Sequence, residues 1–403
     1  MIKTFVTSLT VTLMASTASF AACAFENKVP VKALTAAFPA YVVIAEHMKA
    51  CGMVQVELDQ EVRTKSAPAL AANPALYHIS SVHNGTIVPL LNEDTIRPLD
   101  DLVAKYGQNL NPNQLIRIDG KFMAIAYMVN MQHLMYRKDI FEDLGIAVPE
   151  NYDEVLEAAE KIKAAGVVDY PLGATWMADW NIGIDFNNLF VGFGGKFVND
   201  DNTPAVNSEA GLKTLDMMKR LSAYMNPEYL VADATYVQQQ FQQKKIAFSN
   251  FWASRSARMD DPAESQVVGL IGTAAAPAAM PGGIPASMFS WDGIAIAKNI
   301  TDEEAEAAFR VALEGGDEEM VKANNDLAVW LINGYVPSDM AKGAIETIQK
   351  GAKPNASTIW RGLINAAIEK NVVSFMTGQK TAEQTLAYIE AAYIVSAKEA
   401  GLL

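Results

Sequence analysis

Residues 120–162 read GKFMAIAYMVNMQHLMYRKDIFEDLGIAVPENYDEVLEAAEKI, and this stretch decides the fold. From Lys121 to Asp139 the run is largely apolar and holds no proline or glycine, which predicts one long strand. From Asn151 the pattern turns helical. Asn151 is placed to cap with Glu154 three residues on, Val155, Leu156, Ala159 and Ile162 share a face, and Gly166 ends the helix.

The alternation continues outward. Upstream, residues 29–51 read as a strand, a turn at Thr35 to Pro39 and a helix; residues 54–60 form an alternating strand, and residues 75–85 a buried strand running into a polar loop ended by Gly85. Downstream, residues 167–181 predict a strand and an aromatic loop, followed by helices at 209–224 and 236–245 and a strand at 245–252. The Ala-, Pro- and Gly-rich segment 274–286 is the internal linker candidate. A strand at 287–299 then leads to a Thr-capped helix at 301–316, and the remainder, from 324 on, is expected to be nearly all helix. Strand alternating with helix predicts an α/β protein with mostly parallel sheets, and 403 residues suit two domains better than one.

The formal charge of −14 argues against nucleic acid, because the basic runs are no longer than pairs such as Lys244 and Lys245. The first residues carry Lys3, an apolar run and small residues at Ser19 and Ala21, the pattern of an export signal cleaved after Ala21. Export would place Cys23 and Cys51 in an oxidising compartment, where a disulfide between them is expected; lipidation of Cys23, which follows Phe-Ala-Ala, is the open alternative. The four histidines show no ligand spacing with the cysteines, so no metal and no cofactor is expected.

Nucleophile elbows, phosphate loops and zinc-helix motifs are absent from the sequence. A secreted glycoside hydrolase, needing only two carboxylates, stays open as an alternative. The tryptophans are more informative. Trp176, Trp180, Trp252, Trp291 and Trp360 each fall at the end of a strand or at a loop–helix junction, where ligands of open α/β sheets bind and where a flat ring can meet the C–H face of a sugar. Polar companions are His83, Asn84, Asn130, Asn250 and Asp292, with Phe38 and Tyr127 as further candidates.

In four stretches, 120–162, 244–255, 290–313 and 359–386, the chain resembles the extracellular solute-binding proteins of ABC sugar importers, the maltose-binding-protein-like group. The resemblance implies a two-lobed periplasmic-binding-protein fold that closes on its ligand like a hinge. One lobe would comprise 22–128 and 288–333, the other 129–287 and 334–403. It implies a monomeric periplasmic protein that delivers a mono- or disaccharide or polyol to a membrane permease driven by a separate ATPase. Carried over, Trp252 would stack on the ligand, Asn130 would replace a polar strand residue and Trp360 would close the pocket. His83 and Asn84 depart from the acidic and basic pair of the group, which argues against maltodextrin. A small zwitterionic osmolyte is the alternative ligand, since aromatic cages also hold quaternary ammonium groups.

Overall fold

The computed structural model describes residues 23–403. The export signal expected at residues 1–21 lies outside them.

Two sheets organise the chain. The first takes β1 (Val31–Ala36), β2 (Val54–Asp59), β3 (Ile79–His83), β4 (Leu115–Ile118) and β5 (Lys121–Asn130). The chain then crosses to a second sheet of β6 (Gln132–Arg137), β7 (Leu172–Gly173), β8 (Phe248–Trp252) and β9 (Ile271–Ala274), before returning to the first with β10 (Met288–Ile296), β11 (Val329–Trp330) and β12 (Lys353–Pro354). The apolar run that reads as one strand is therefore two. It breaks at Met131, and its halves belong to different sheets.

The pairing is mixed, which corrects the expectation of mostly parallel sheets. β1 runs parallel to β2 and β3, but β10 is antiparallel to both β3 and β5 between which it lies, and β6 is antiparallel to β8 and β9. The physical reason is the route: β10 comes back from the other sheet, not from a local crossover helix, so it need not run parallel to its neighbours. A second correction concerns residues 324–334. Val329 and Trp330 pair with Val129 and Met128 at the sheet edge and do not form a helix.

Each sheet has its own core. Tyr41, Ile44, Tyr127, Ile294 and Phe309 pack beside the first, while Trp176, Phe186, Phe190, Phe248 and Tyr393 pack beside the second. Met131, Ala253, Val329, Ala341 and Ala344 form a small apolar cluster where the chain passes between them. Helix ends follow the sequence closely. The Asn151 side chain accepts from the backbone N–H of Asp153 and Glu154 at the start of the helix Tyr152–Ala164, and Thr301 and Glu304 form a reciprocal capping box. Cys23 and Cys51 are disulfide-bonded, tying the first described residue to the end of the helix Pro39–Ala50. No helix among the described residues is long and apolar enough to cross a membrane.

Candidate functional site

On the second lobe, Asp179 caps the helix Trp180–Gly192, its carboxylate accepting from the backbone N–H of Asn181 at 2.8 Å. That cap sets Trp180 at the first helical position. Trp252 ends β8, and the two indole rings lie 6.2 Å apart, tilted by 47°. The Trp252 indole N–H is buried without a partner, an unmet donor in this arrangement.

The first sheet carries His83, the last residue of β3, which pairs in register with Asp292 in the middle of β10. The backbone N–H of Gly85 donates to His83 Nδ1 at 3.0 Å, so the neutral ring carries its proton on Nε2. Burial, and then the nearby charge of Arg63, push the His83 pKa down to about 4, keeping it neutral. Burial raises the Asp292 carboxyl to about 7. The residue after it has to be glycine. β10 bulges against β5 between Asp292 and Gly293, and a Cβ on Gly293 would lie 2.0 Å from the Ile125 carbonyl oxygen.

Several expected ligand residues are engaged elsewhere. Tyr127 is fully buried and donates its hydroxyl to the Ala312 carbonyl at 2.7 Å. Trp176 is 1% exposed, its indole N–H on Asp185 at 2.6 Å and its ring edge-on to Tyr229. Asn84 is buried, accepting from the Trp291 N–H and donating to the Asn355 carbonyl, so both ends of its amide are taken. Asn130 binds Ser254 with both its oxygen and its nitrogen, joining β5 to the segment after β8. Asn250 lines a small internal cavity with Asp185, Trp176 and Tyr152, and its amide oxygen has no donor. Trp291 packs half-buried against an apolar cluster of the first lobe that includes Val82 and Leu70, and Trp360 lies half-buried on the second, 6.5 Å from Phe197. Phe38 meets Tyr41 edge-on at the turn before the helix Pro39–Ala50.

A groove of about 890 Å³ runs between the lobes, with Ala37, Pro39 and Val43 on one wall and Gln238 and Arg255 on the other. Phe38 lies between two of those wall residues. A hollow of about 440 Å³ among Tyr170, Tyr229, Tyr236 and Lys245 belongs wholly to the second lobe, so it cannot serve capture between lobes. Two charged groups near the tryptophans are not singled out by the sequence. Arg63, from the helix Val62–Ala71, holds its guanidinium 5.4 Å from the Trp180 ring centre, and Glu369, on the helix Ile359–Met376, is pushed up by burial. No sequence motif marks either of them.

Two α/β lobes joined by crossing segments, with aromatic rings on one and polar groups on the other, define a two-lobed solute-binding protein. Residues 79–314, more than half of the chain, match the family described as bacterial extracellular solute-binding protein, and the chain belongs to that family. The sn-glycerol-3-phosphate-binding periplasmic protein UgpB of Rhizobium meliloti is 27% identical over 172 residues, which are 40% of this chain and 37% of that protein. The match thus spans little more than a third of that relative's length. Among solved structures, an ABC transporter solute-binding protein of Agrobacterium radiobacter K84 in complex with ribitol superposes with a TM-score of 0.79 at 20% identity, covering 91% of this chain and 98% of that one. Maltose-bound MalE3 of T. maritima gives 0.75 at 17% identity, covering 91% and 99%. These likenesses establish the two-lobed fold.

Proposed function

We propose that this protein captures a small polyol, mono- or disaccharide between its lobes in the periplasm and hands it to the permease of an ABC importer. The observation that carries the reading is the Trp180–Trp252 pair with its buried, unpartnered indole N–H. Rings of this kind meet the C–H face of a sugar or polyol, while the indole N–H and the His83 Nε2–H donate to hydroxyls. The ligand set we assign is Trp180, Trp252, His83 and Asp292, with Phe38 at the groove. To the border of that set we assign Trp291 and Trp360, and to its support Asn84, Asn130 and Asn250. The lobes we assign are 22–128 with 288–333, and 129–287 with 334–403.

Membership in a family of binding proteins supports capture without turnover and counts against a hydrolase. The named relatives support a polyol or sugar: one is a glycerol-3-phosphate binder, and the similar structures hold ribitol and maltose. A thermal-shift screen over ribitol, mannitol, maltose, monosaccharides, glycerol 3-phosphate, betaines and amino acids tests this. A compound at a hundredfold excess over its dissociation constant stabilises the native state by about 2.7 kcal/mol, a clear rise in melting temperature. A polyol or sugar is expected to give that rise. A response to amino acids or betaines alone would overturn the carbohydrate assignment.

A further inference from the structure

We propose that Arg63 is an interlobe latch, a first-lobe guanidinium that seats on Trp180 of the second lobe and favours the closed arrangement of the two. This rests on the capture reading above, because it assigns the ring the solute would meet a second duty in closure.

The anchoring is one-sided. Val62, Ser66 and Leu70 bury the helix Val62–Ala71 in the first lobe, and Ser66 Oγ is hydrogen-bonded to both the Val62 carbonyl and Ser80 Oγ of β3. The backbone of Arg63 therefore belongs rigidly to that lobe, while its side chain is exposed. No carboxylate pairs with Arg63 among the described residues, and the face of Trp180, 5.4 Å away, is its direct partner. The attractions at longer range also cross the gap. Arg63 favours the charged form of Glu369, whose side chain packs so closely that a Cβ on Gly183 would come within 2.7 Å of Glu369 Cγ, which places the stem of Glu369 against the helix that carries Trp180. Within its own lobe Arg63 faces the neutral ring of His83 and gains nothing from it; their interaction is unfavourable to a charged histidine.

A cation held by one lobe and a ring with a carboxylate held by the other gain contact only when the lobes approach. An exposed cation–π contact corresponds to roughly two- to fivefold in an equilibrium constant. Such a latch biases closure without locking it, and release of the solute remains possible.

The test reads closure directly and needs no solute. Nitroxides at Leu76→Cys on the first lobe and Leu212→Cys on the second, both exposed, report the interlobe distance, and the two native cysteines are already paired. Arg63→Ala is expected to lower the closed-to-open ratio about two- to fivefold while leaving the melting temperature unchanged. Arg63→Lys, which keeps the charge but loses the planar face, is expected between the two. Trp180→Ala should match Arg63→Ala, and the double variant should fall no further. Added salt should lower the ratio in the wild type and less in Arg63→Ala, because the Glu369 attraction is screened. An unchanged ratio in Arg63→Ala, including the case of both proteins fully open, or fully additive single variants, would overturn the latch. Failure of the capture reading looks different: no compound of the screen would raise the wild-type melting temperature, whatever the distance distributions.

Discussion

On the first lobe the proposed site draws on the end of β3 and the middle of β10, neighbours in an eight-stranded sheet, and its groups are His83, Asp292 and, from a helix, Arg63. The second lobe has four strands, one of them only two residues long, and carries Trp180 at a helix start and Trp252 at a strand end. The wide sheet supplies backbone hydrogen bonds enough to hold polar side chains at its centre, half out of water. The narrow sheet depends on aromatic packing, with Phe186 and Phe190 stacked at 5.8 Å behind it, and its cleft rings extend that aromatic interior to the surface. In the proposed site, polar groups on one side and rings on the other thus follow from how each lobe is built.

That division predicts that tryptophans of the second lobe come in two kinds. Trp176→Ala should cost about 3 to 5 kcal/mol of stability, since it empties a fully packed site and strands Asp185 without its indole donor. Thermal unfolding of the solute-free protein measures this. A variant that kept its melting temperature but lost solute binding would break the comparison, because Trp176 would then belong to the cleft.

The alternation of strand and helix is legible in the sequence because Asn151, Thr301 and the apolar faces they precede act locally. The crossing at Met131 is not, since an apolar run through two sheets looks the same as a run through one. Strand ends place Trp176 and Trp252 near the same edge, but a strand end does not say which way a ring turns, and one is core while the other borders the cleft. Tyr127 is similar: it alternates into the sheet's packed face, which the pattern cannot distinguish from the open one. Arg63 is the opposite case, since a lone arginine in a polar helix gives no signal until the other lobe is seen above it.

The polar side of the comparison is sharpened by pH. The Asp292 carboxyl is raised to about 7 by burial, so the fold favours its protonated form. Relative to a neutral side chain, the wild type is not penalised below the unfolded pKa near 4 and loses stability as pH rises through 7. Asp292→Asn should therefore be more stable than the wild type by about 4 kcal/mol at pH 8, with the gain shrinking between about pH 7 and 4 and vanishing near pH 4. Paired denaturation curves at pH 8, 6 and 4 check the sign. A gain that grew on acidification would mean that the carboxylate is held charged, and that the first lobe is built to stabilise ions at its cleft and not neutral groups.

The smallest expected effect on stability carries the most about function. Trp252 is half-buried, its ring leans on Trp180, and its indole N–H has no partner to lose. Truncation to Ala removes a ring–ring contact and some apolar area but strands no hydrogen bond, so the melting temperature of the solute-free protein should fall far less than in Trp176→Ala. Affinity should fall at least tenfold, because a stacked ring and a donor to the solute go together, each on the order of 1 kcal/mol. Calorimetry with the compound that the thermal screen identifies, run beside the solute-free melting curve, separates the two terms. If Trp252→Ala melted as low as Trp176→Ala yet bound normally, both rings would be structural, and the aromatic half of the cleft would have to be sought at Phe38 and the groove beside it.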